Sequence, residues 1–462
     1  MKPYTAHYKD LTRLGLPIVI GQLGIIFVSF VDTFMVSQHG TNDLAAASFV
    51  NNMFNLAIIF ATGFSYGLTP IVGKLFGKGR KEEAGGMFKN ALLANGTTAT
   101  LLMLAMWVLY LNIENLGQPA ELLGLMRPYY LVLLISIPFI LLFNAFKQFA
   151  DGITDTRTSM WILLTGNVLN IVGNYLLIYG KCGLPELGLL GAGISTLLSR
   201  MAMLAISLII FFNRKSYRVY ATGFWKTGIS RMRQKELFRL GLPIAAQMGM
   251  EAASFSLTTI MVGWIGTTAL AAHQIMITVS QLGFMVYYGM GAAVAVKVSN
   301  YNGAGDTANI RRVASSGFHL ITMMAVITSI IVFTLRHHIG GIFTDDNSVM
   351  LLVAQLTIPF VLYQIGDGMQ CNYANALRGI TDVKPMMLFA FIAYFIISLP
   401  VGYIFGFVLD MGLPGVWMSF PLGLTSAGVM FYLRFRHTLK KKAHITKSSP
   451  SSQEGVPEGG RR

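Results

Sequence analysis

Apolar residues in this chain come in long runs broken by short polar stretches, with no single amphipathic stripe inside them. Several runs exceed the roughly 20 residues a helix needs to cross a bilayer. The ten-residue alternation of a membrane-spanning β-barrel is absent. The runs predict twelve spans near residues 14–38, 46–72, 90–110, 128–149, 160–180 and 188–212, then 239–264, 270–296, 314–335, 350–374, 385–408 and 414–436. The expected fold class is therefore an all-α polytopic membrane protein. Its domains are a first bundle of six over 1–212, a polar linker over 213–238, a second bundle over 239–436 and a tail over 437–462. From Ala443 onward that tail has no apolar content to fold around, so it is expected to be disordered. The first thirteen residues are polar and no small-residue cleavage site follows a short apolar core, so the run from Leu14 is read as retained.

The two halves resemble one another. Leu11-Thr-Arg-Leu-Gly-Leu-Pro-Ile18 is answered by Leu237-Phe-Arg-Leu-Gly-Leu-Pro-Ile244. In the same register, Gly40-Thr41 and Leu44-Ala45-Ala46 fall opposite Gly266-Thr267 and Leu270-Ala271-Ala272. Gly77-Lys-Gly79 answers Gly303-Ala-Gly305, Gly152-Ile-Thr-Asp155 answers Gly379-Ile-Thr-Asp382, and Gly188-Leu-Leu-Gly191 answers Gly412-Leu-Pro-Gly415. Six is an even number, so corresponding spans run in the same direction and the repeat is parallel, about an axis along the membrane normal.

Composition supports the membrane reading, since 54% of residues are hydrophobic and only 12% charged, too little polar surface for a water-soluble chain of this length. The net charge of +15 raises the question of nucleic acid, which the placement of the basic residues answers. Lys74, Lys78, Arg80, Lys81, Arg214, Lys215, Arg218, Arg231, Arg233, Lys235, Arg311 and Arg312 all fall in loops on one side. The other side holds little beyond Arg127, Lys181 and Arg336. This alternation places both termini in the cytoplasm and is topological rather than a nucleic-acid footprint.

Three acids lie well inside spans: Asp32, Glu251 and Asp367. Each costs about 2.5–3.5 kcal/mol at the bilayer centre, so each asks for a reason. The acids are not duplicated, because Glu251 stands opposite Ile25 and Asp32 opposite Thr258. Polar company follows at helical spacing: Gln247, Ser254 and Thr258 around Glu251, Tyr363 and Gln370 around Asp367, and Asn167, Asn170 and Asn174 on one face of span 5. Oxygen-rich faces of this kind coordinate a hard cation such as sodium, and a desolvated carboxylate can carry a proton. The alternative is that these groups join helices by hydrogen bonds. Asp32 lies about eighteen residues into its span, roughly 27 Å at the helical rise, whereas Glu251 is about twelve residues into its own. Two clusters at different depths are expected.

Other features carry less chemistry. Arg200 is the basic residue placed well inside a span, either paired with an acid or snorkelling. Pro17, Pro138, Pro243 and Pro359 lie in spans as kinks or hinges. Cys182 and Cys371 offer no metal spacing and are expected as free thiols. Gly77-Lys-Gly-Arg80 has the wrong spacing for a phosphate loop, no nucleotide-binding domain is visible, and His273 and His319 belong to no hydrolase pattern. No enzyme, cofactor or tightly bound metal is expected.

Taken as an ordered set, two sixes of spans, Val31-Asp32-Thr33, the glycine-bearing loop after span 2 and Arg378-Gly-Ile-Thr-Asp382 after span 10 resemble the multidrug and toxic compound extrusion (MATE) family over residues 8–436. Glu251 and Asp367 make the chain look like the NorM-type branch, and Asn174 stands where the DinF-type branch has an acid. The resemblance implies a V-shaped pair of six-helix bundles around a central cavity. It implies a monomeric antiporter of the bacterial inner membrane, expelling cationic, often aromatic drugs by alternating access while Na+ or H+ enters. By position it would put Glu251, Asp367 and Tyr363, with Gln274 nearby, in a second-half cation site where Na+ binds transiently. Asp32, Asn170 and Asn174 would form a first-half polar cluster for cation or substrate. A lipid or oligosaccharide-lipid flippase could share the two-bundle plan; a cavity lined with several cationic side chains would favour it.

Overall fold

The computed structural model describes residues 2–117 and 119–448; the side chains of residues 2–3 and 443–448 are not described. Among these residues no strand occurs, and the chain runs up and down as helices. The first half comprises α1 (Lys2–His39), α2 (Thr41–Ser65), α3 (Leu68–Gly77), α4 (Lys81–Leu111), α5 (Ala120–Gly152), α6 (Thr156–Ile178) and α7 (Gly188–Asn213). A short helix, α8 (Arg218–Lys226), leads to the second half: α9 (Arg231–Ile265), α10 (Thr267–Ala304), α11 (Thr307–Phe343), α12 (Asn347–Gly379), α13 (Lys384–Phe391), α14 (Leu399–Tyr403), α15 (Gly412–Trp417) and α16 (Ser419–Ser448).

Twelve crossings result, because α2 with α3, α13 with α14, and α15 with α16 each form one broken span. Proline accounts for the breaks. Pro70 cannot donate to the Tyr66 carbonyl, so the helix parts at Tyr66 and Gly67. In the eleventh span Pro400 is preceded by a π-helical stretch, Ile392–Ser398, and followed by another, Ile404–Val408. Pro17, Pro138, Pro243 and Pro359 sit inside unbroken helices.

Eleven spans qualify as membrane helices by length and hydropathy. The twelfth, α9, is 35 residues long and falls outside that set because Gln247, Glu251, Ser254, Thr258 and their neighbours dilute its apolar character. The span that carries the chemistry is thus the least apolar. Outward faces are greasy, as lipid contact requires: Phe30, Ile330 and Leu433 are 69%, 60% and 55% exposed.

Residues 213–238, expected as a polar linker, are largely helical and fastened to the first bundle. The Asn90 side chain on α4 accepts from the Ser230 amide at 2.9 Å, while Gln234 Nε2 donates to the Asn90 carbonyl at 2.8 Å. At the other end α16 continues to Ser448, so residues 437–448 of the expected tail are helical; residues 449–462 lie outside the described residues.

Six spans pack together in each half, α1 on α6, α5 and α6 on α7, then α10, α11 and α16 around α12. The lobes meet where α1 and α3 touch α10 and where α2 touches α9. Toward the end of the bundle that carries the linker, Gly67 faces Gly241, Gly63 faces Ala245, Val19 faces Gly289, and Lys297 Nζ reaches Asp10 at 2.7 Å. Further out the buried cores separate: Met35, Phe54, Met106 and Tyr130 form a cluster of the first lobe alone. The molecule is a V closed at the linker face and open at the other.

The repeated Gly-Ile-Thr-Asp turns are structural staples. Thr154 and Thr381 both adopt the left-handed conformation, φ 69° and 64°, at the ends of α5 and α12. Each turn then presents its aspartate to side chains that follow it in the chain. Asp155 accepts from Tyr217 at 2.8 Å and from Thr158 Oγ1 at 2.7 Å. Asp382 accepts from Arg434 Nε at 2.7 Å, from its Nη2 at 3.1 Å and from Thr438 at 2.6 Å.

Candidate cation site

Glu251 sits midway along α9, and a one-turn step back brings Gln247 onto the same face. Gln247 Nε2 donates to Glu251 Oε2 at 2.9 Å. From α12, Gln370 Nε2 donates to the same oxygen at 3.1 Å and lies 3.0 Å from the Tyr394 hydroxyl. Tyr394, carried by the first π-helical stretch, is within hydrogen-bonding reach of the Glu251 carboxylate as well. One turn before Gln370 on α12 stands Asp367, 5% exposed, close enough to Glu251 for the two carboxylates to repel one another. Among the described residues neither acid has a lysine, arginine or histidine nitrogen within salt-bridge distance.

Two acids of like charge, Asp367 buried and Glu251 half-buried, with amide and phenol neighbours attract a small cation, because each added positive charge relieves the repulsion. The oxygens present, two carboxylates and the hydroxyl of Tyr394, suit a hard ion such as sodium or a proton. Tyr363 lies on the next turn of α12, 6% exposed, in an aromatic wall with Phe360, Trp417 and Phe420 at ring separations of 5.4, 6.4 and 6.1 Å. Gln274 stands apart: it is exposed on α10, and only its backbone carbonyl is engaged, by Thr278 at 2.9 Å. His273 beside it is fully buried between Trp417 and Thr259.

The first-half cluster assembles too. Asn174 Nδ2 donates to Asp32 Oδ1 at 2.5 Å, and Asn170 Nδ2 donates to Thr196 at 3.2 Å. Asn170 Oδ1 and Asn174 Oδ1 are buried with no hydrogen-bond partner, the second of them on the amide that bonds Asp32. Arg200 donates to Ser136 at 2.6 Å and lies within electrostatic reach of Asp32.

Four participants escaped the sequence. Tyr394 was hidden among the apolar residues of span 11. Arg378, part of the motif after span 10, is only 6% exposed, and its Nη2 donates to Gln247 Oε1 at 2.7 Å. Lys147 and Asp151 form a buried pair at 2.9 Å, so Arg200 is not the lone basic residue within the bundle. The i, i+4 spacing of Lys147 and Asp151 was the available signal.

The MatE family model matches this chain twice, over residues 17–176 and 243–404, more than half its length. The chain belongs to the MatE family. MatE proteins are transporters, not enzymes. The two matches also fall on the two halves of the internal repeat. Solved MatE-type structures share the fold. An outward-facing multidrug resistance MATE family transporter of the MOP superfamily is 20% identical, with TM-score 0.85 over 95% of this chain and 97% of that one. A variant of the Vibrio cholerae MATE transporter VcmN is 17% identical, with TM-score 0.86 over 96% and 99%. A MOP superfamily transporter from Pyrococcus furiosus, described as having a binding pocket of reverse polarity, is 19% identical, with TM-score 0.85 over 95% and 97%.

Proposed function

We propose that this transporter is a NorM-like antiporter of the bacterial inner membrane that expels cationic, often aromatic drugs by alternating access as Na+ or H+ enters. Both termini lie in the cytoplasm, on the strength of the basic loops, so the closed face is cytoplasmic and the V opens outward. The observation that carries this reading is the Glu251–Asp367 pair, a half-buried and a buried acid of like charge in one lobe with no lysine, arginine or histidine in salt-bridge contact among the described residues. A cation arriving from outside neutralises the pair and favours the inward-open form; the cationic drug is held best when the acids are empty. A coupling of about 1–3 kcal/mol between the two ligands drives exchange.

The test is drug efflux from vesicles under a sodium gradient alone and then a pH gradient alone. Sodium-driven export ties Glu251 and Asp367 to a metal-ion site, and proton-driven export makes them proton carriers. Glu251→Gln is expected to abolish export under the effective gradient, and normal export by that variant refutes the reading. Absence of export under both gradients returns the flippase alternative, which would then be assayed with fluorescent lipid.

A further inference from the structure

Arg378 is a buried cation with no carboxylate in salt-bridge contact among the described residues, and it stands at the seam between the lobes. Its guanidinium lies 5.7 Å from the centre of the Tyr66 ring, which belongs to the other lobe at the break between α2 and α3. Tyr66 in turn packs on Tyr288 at 5.9 Å. Around these groups is a cavity of about 20 Å³, lined also by Gln148, Asp151 and Asn375. Two donors lining it lack partners, Arg378 Nε and Gln148 Nε2. Asp151 is already matched by Lys147, and the Arg378 charge is felt by Glu251.

Between Arg378 and Glu251 there is one side-chain amide. Gln247 is 1% exposed, its Nε2 committed to Glu251 and its Oε1 to Arg378. An ionised Glu251 accepts only, so it demands the amide N–H and thereby turns the amide oxygen toward the guanidinium. A Glu251 carrying a proton or a sodium ion reverses that demand, because both attract the amide oxygen. Rotation of the amide then sets its NH2 against a guanidinium that has no acceptor.

We propose that Gln247 and Arg378 are positioning residues that transmit the charge of Glu251 to the lobe seam: an empty, ionised Glu251 holds Arg378 against Tyr66 and keeps the linker face shut, and a neutralised Glu251 releases it. The direction agrees with antiport, since an ion entering from the open side unlocks the closed one. This inference rests on the reading of Glu251 as the coupling acid.

Hydrogen–deuterium exchange of the full chain in lipid nanodiscs tests it, read on seam peptides covering residues 60–77 and 288–303, without drug. Glu251→Gln is expected to speed exchange there by at least about fivefold, the lower end of usual allosteric couplings. In an Arg378→Met background the same change is expected to have little effect, while Arg378→Lys restores part of the response. Equal acceleration in both backgrounds, or none in the wild type, overturns the relay. Should Arg378→Met fail to fold, Gln247→Met replaces it in the cycle with the same expectation and the same refutation. Vesicle transport by the wild-type protein separates the two readings. Antiport with no coupling in the cycle removes the relay alone, whereas coupling without antiport removes the drug-exchange reading and leaves the relay standing.

Discussion

Gly67→Ala is expected to prop the lobes apart at the linker face. A Cβ on Gly67 would lie 2.7 Å from the Gly241 amide nitrogen and 2.8 Å from its Cα. Ordinary carbon contacts are about 3.5–4.0 Å, so α2 and α9 would have to separate by about 0.8 Å at a point where both surfaces are backbone. No rotamer change can relieve that. Overpacking of this kind costs about 1–3 kcal/mol. The cost falls only on the form with the seam shut, so the balance between openings moves by about 5- to 150-fold without loss of the fold. Exchange of seam peptides over residues 60–77 and 241–249 should rise accordingly, and drug export should slow because the outward-open form is rarer. Gly96→Ala is the control, since a Cβ there meets nothing within 4 Å. At that helical site alanine should be neutral or stabilising by about 0.5–1 kcal/mol. The steric reasoning fails if Gly67→Ala leaves seam exchange and export at the level of Gly96→Ala.

Three further outcomes follow from individual contacts. Trp417 Nε1 donates to His273 Nδ1 at 3.0 Å, so the ring proton is on Nε2, which meets Thr259 Oγ1 at 3.0 Å; His273→Gln should therefore keep the pH profile of export, while His273→Phe lowers thermal stability by about 1–3 kcal/mol for each buried group left without a partner. A changed pH profile in His273→Gln would make His273 a proton carrier after all. Burial pushes the Asp382 carboxyl up, but hydrogen bonds from Arg434 and Thr438 and the charges of Arg434 and Lys442 outweigh it and hold it below the usual carboxylate range. A depressed acid stabilises above its unfolded value and loses that contribution only as pH falls through the folded one. Stability measured between about pH 5 and 8 should thus show no loss from Asp382, and Asp382→Asn should lower Tm by a similar amount across that window; a wild-type loss centred near pH 6 that Asp382→Asn abolishes would contradict the assignment. Asn174→Leu removes the donor on Asp32 and one free oxygen, and should reduce export about tenfold, the worth of one hydrogen bond to a charged group, with Tm little changed. A large fall in Tm with unimpaired export would show that cluster to be helix glue.

The apolar runs marked the spans, α9 least clearly, because crossing a bilayer demands length and hydropathy, both of which are local properties. The duplicated motifs likewise announced two bundles, and the Gly-Ile-Thr-Asp turns reappear as staples in each. Glu251, Asp367 and Asp32 stood out because a charge in an apolar run is conspicuous. Which partner each acid meets was another matter. Gln370 shares a helix face with Asp367, yet its amide goes to Glu251 on a different helix. Helical spacing says which side chains share a face, not what that face looks at. Gln274 turned out exposed on α10 for the same reason, since its neighbour His273 took the inward position.

Arg378 and the Lys147–Asp151 pair illustrate the limit most clearly. They lie near the ends of spans, where charged residues ordinarily reach water, and here they line a cavity shared by both lobes. The sequence by itself determined a twelve-span, twice-repeated membrane protein with acids in its interior, because hydropathy, repetition and misplaced charge can all be seen along the chain. The tertiary structure alone decided that the V is shut at the linker face, and that an arginine on that seam is one amide away from Glu251. Contacts between helices far apart in sequence depend on how whole bundles pack, and no local pattern carries that.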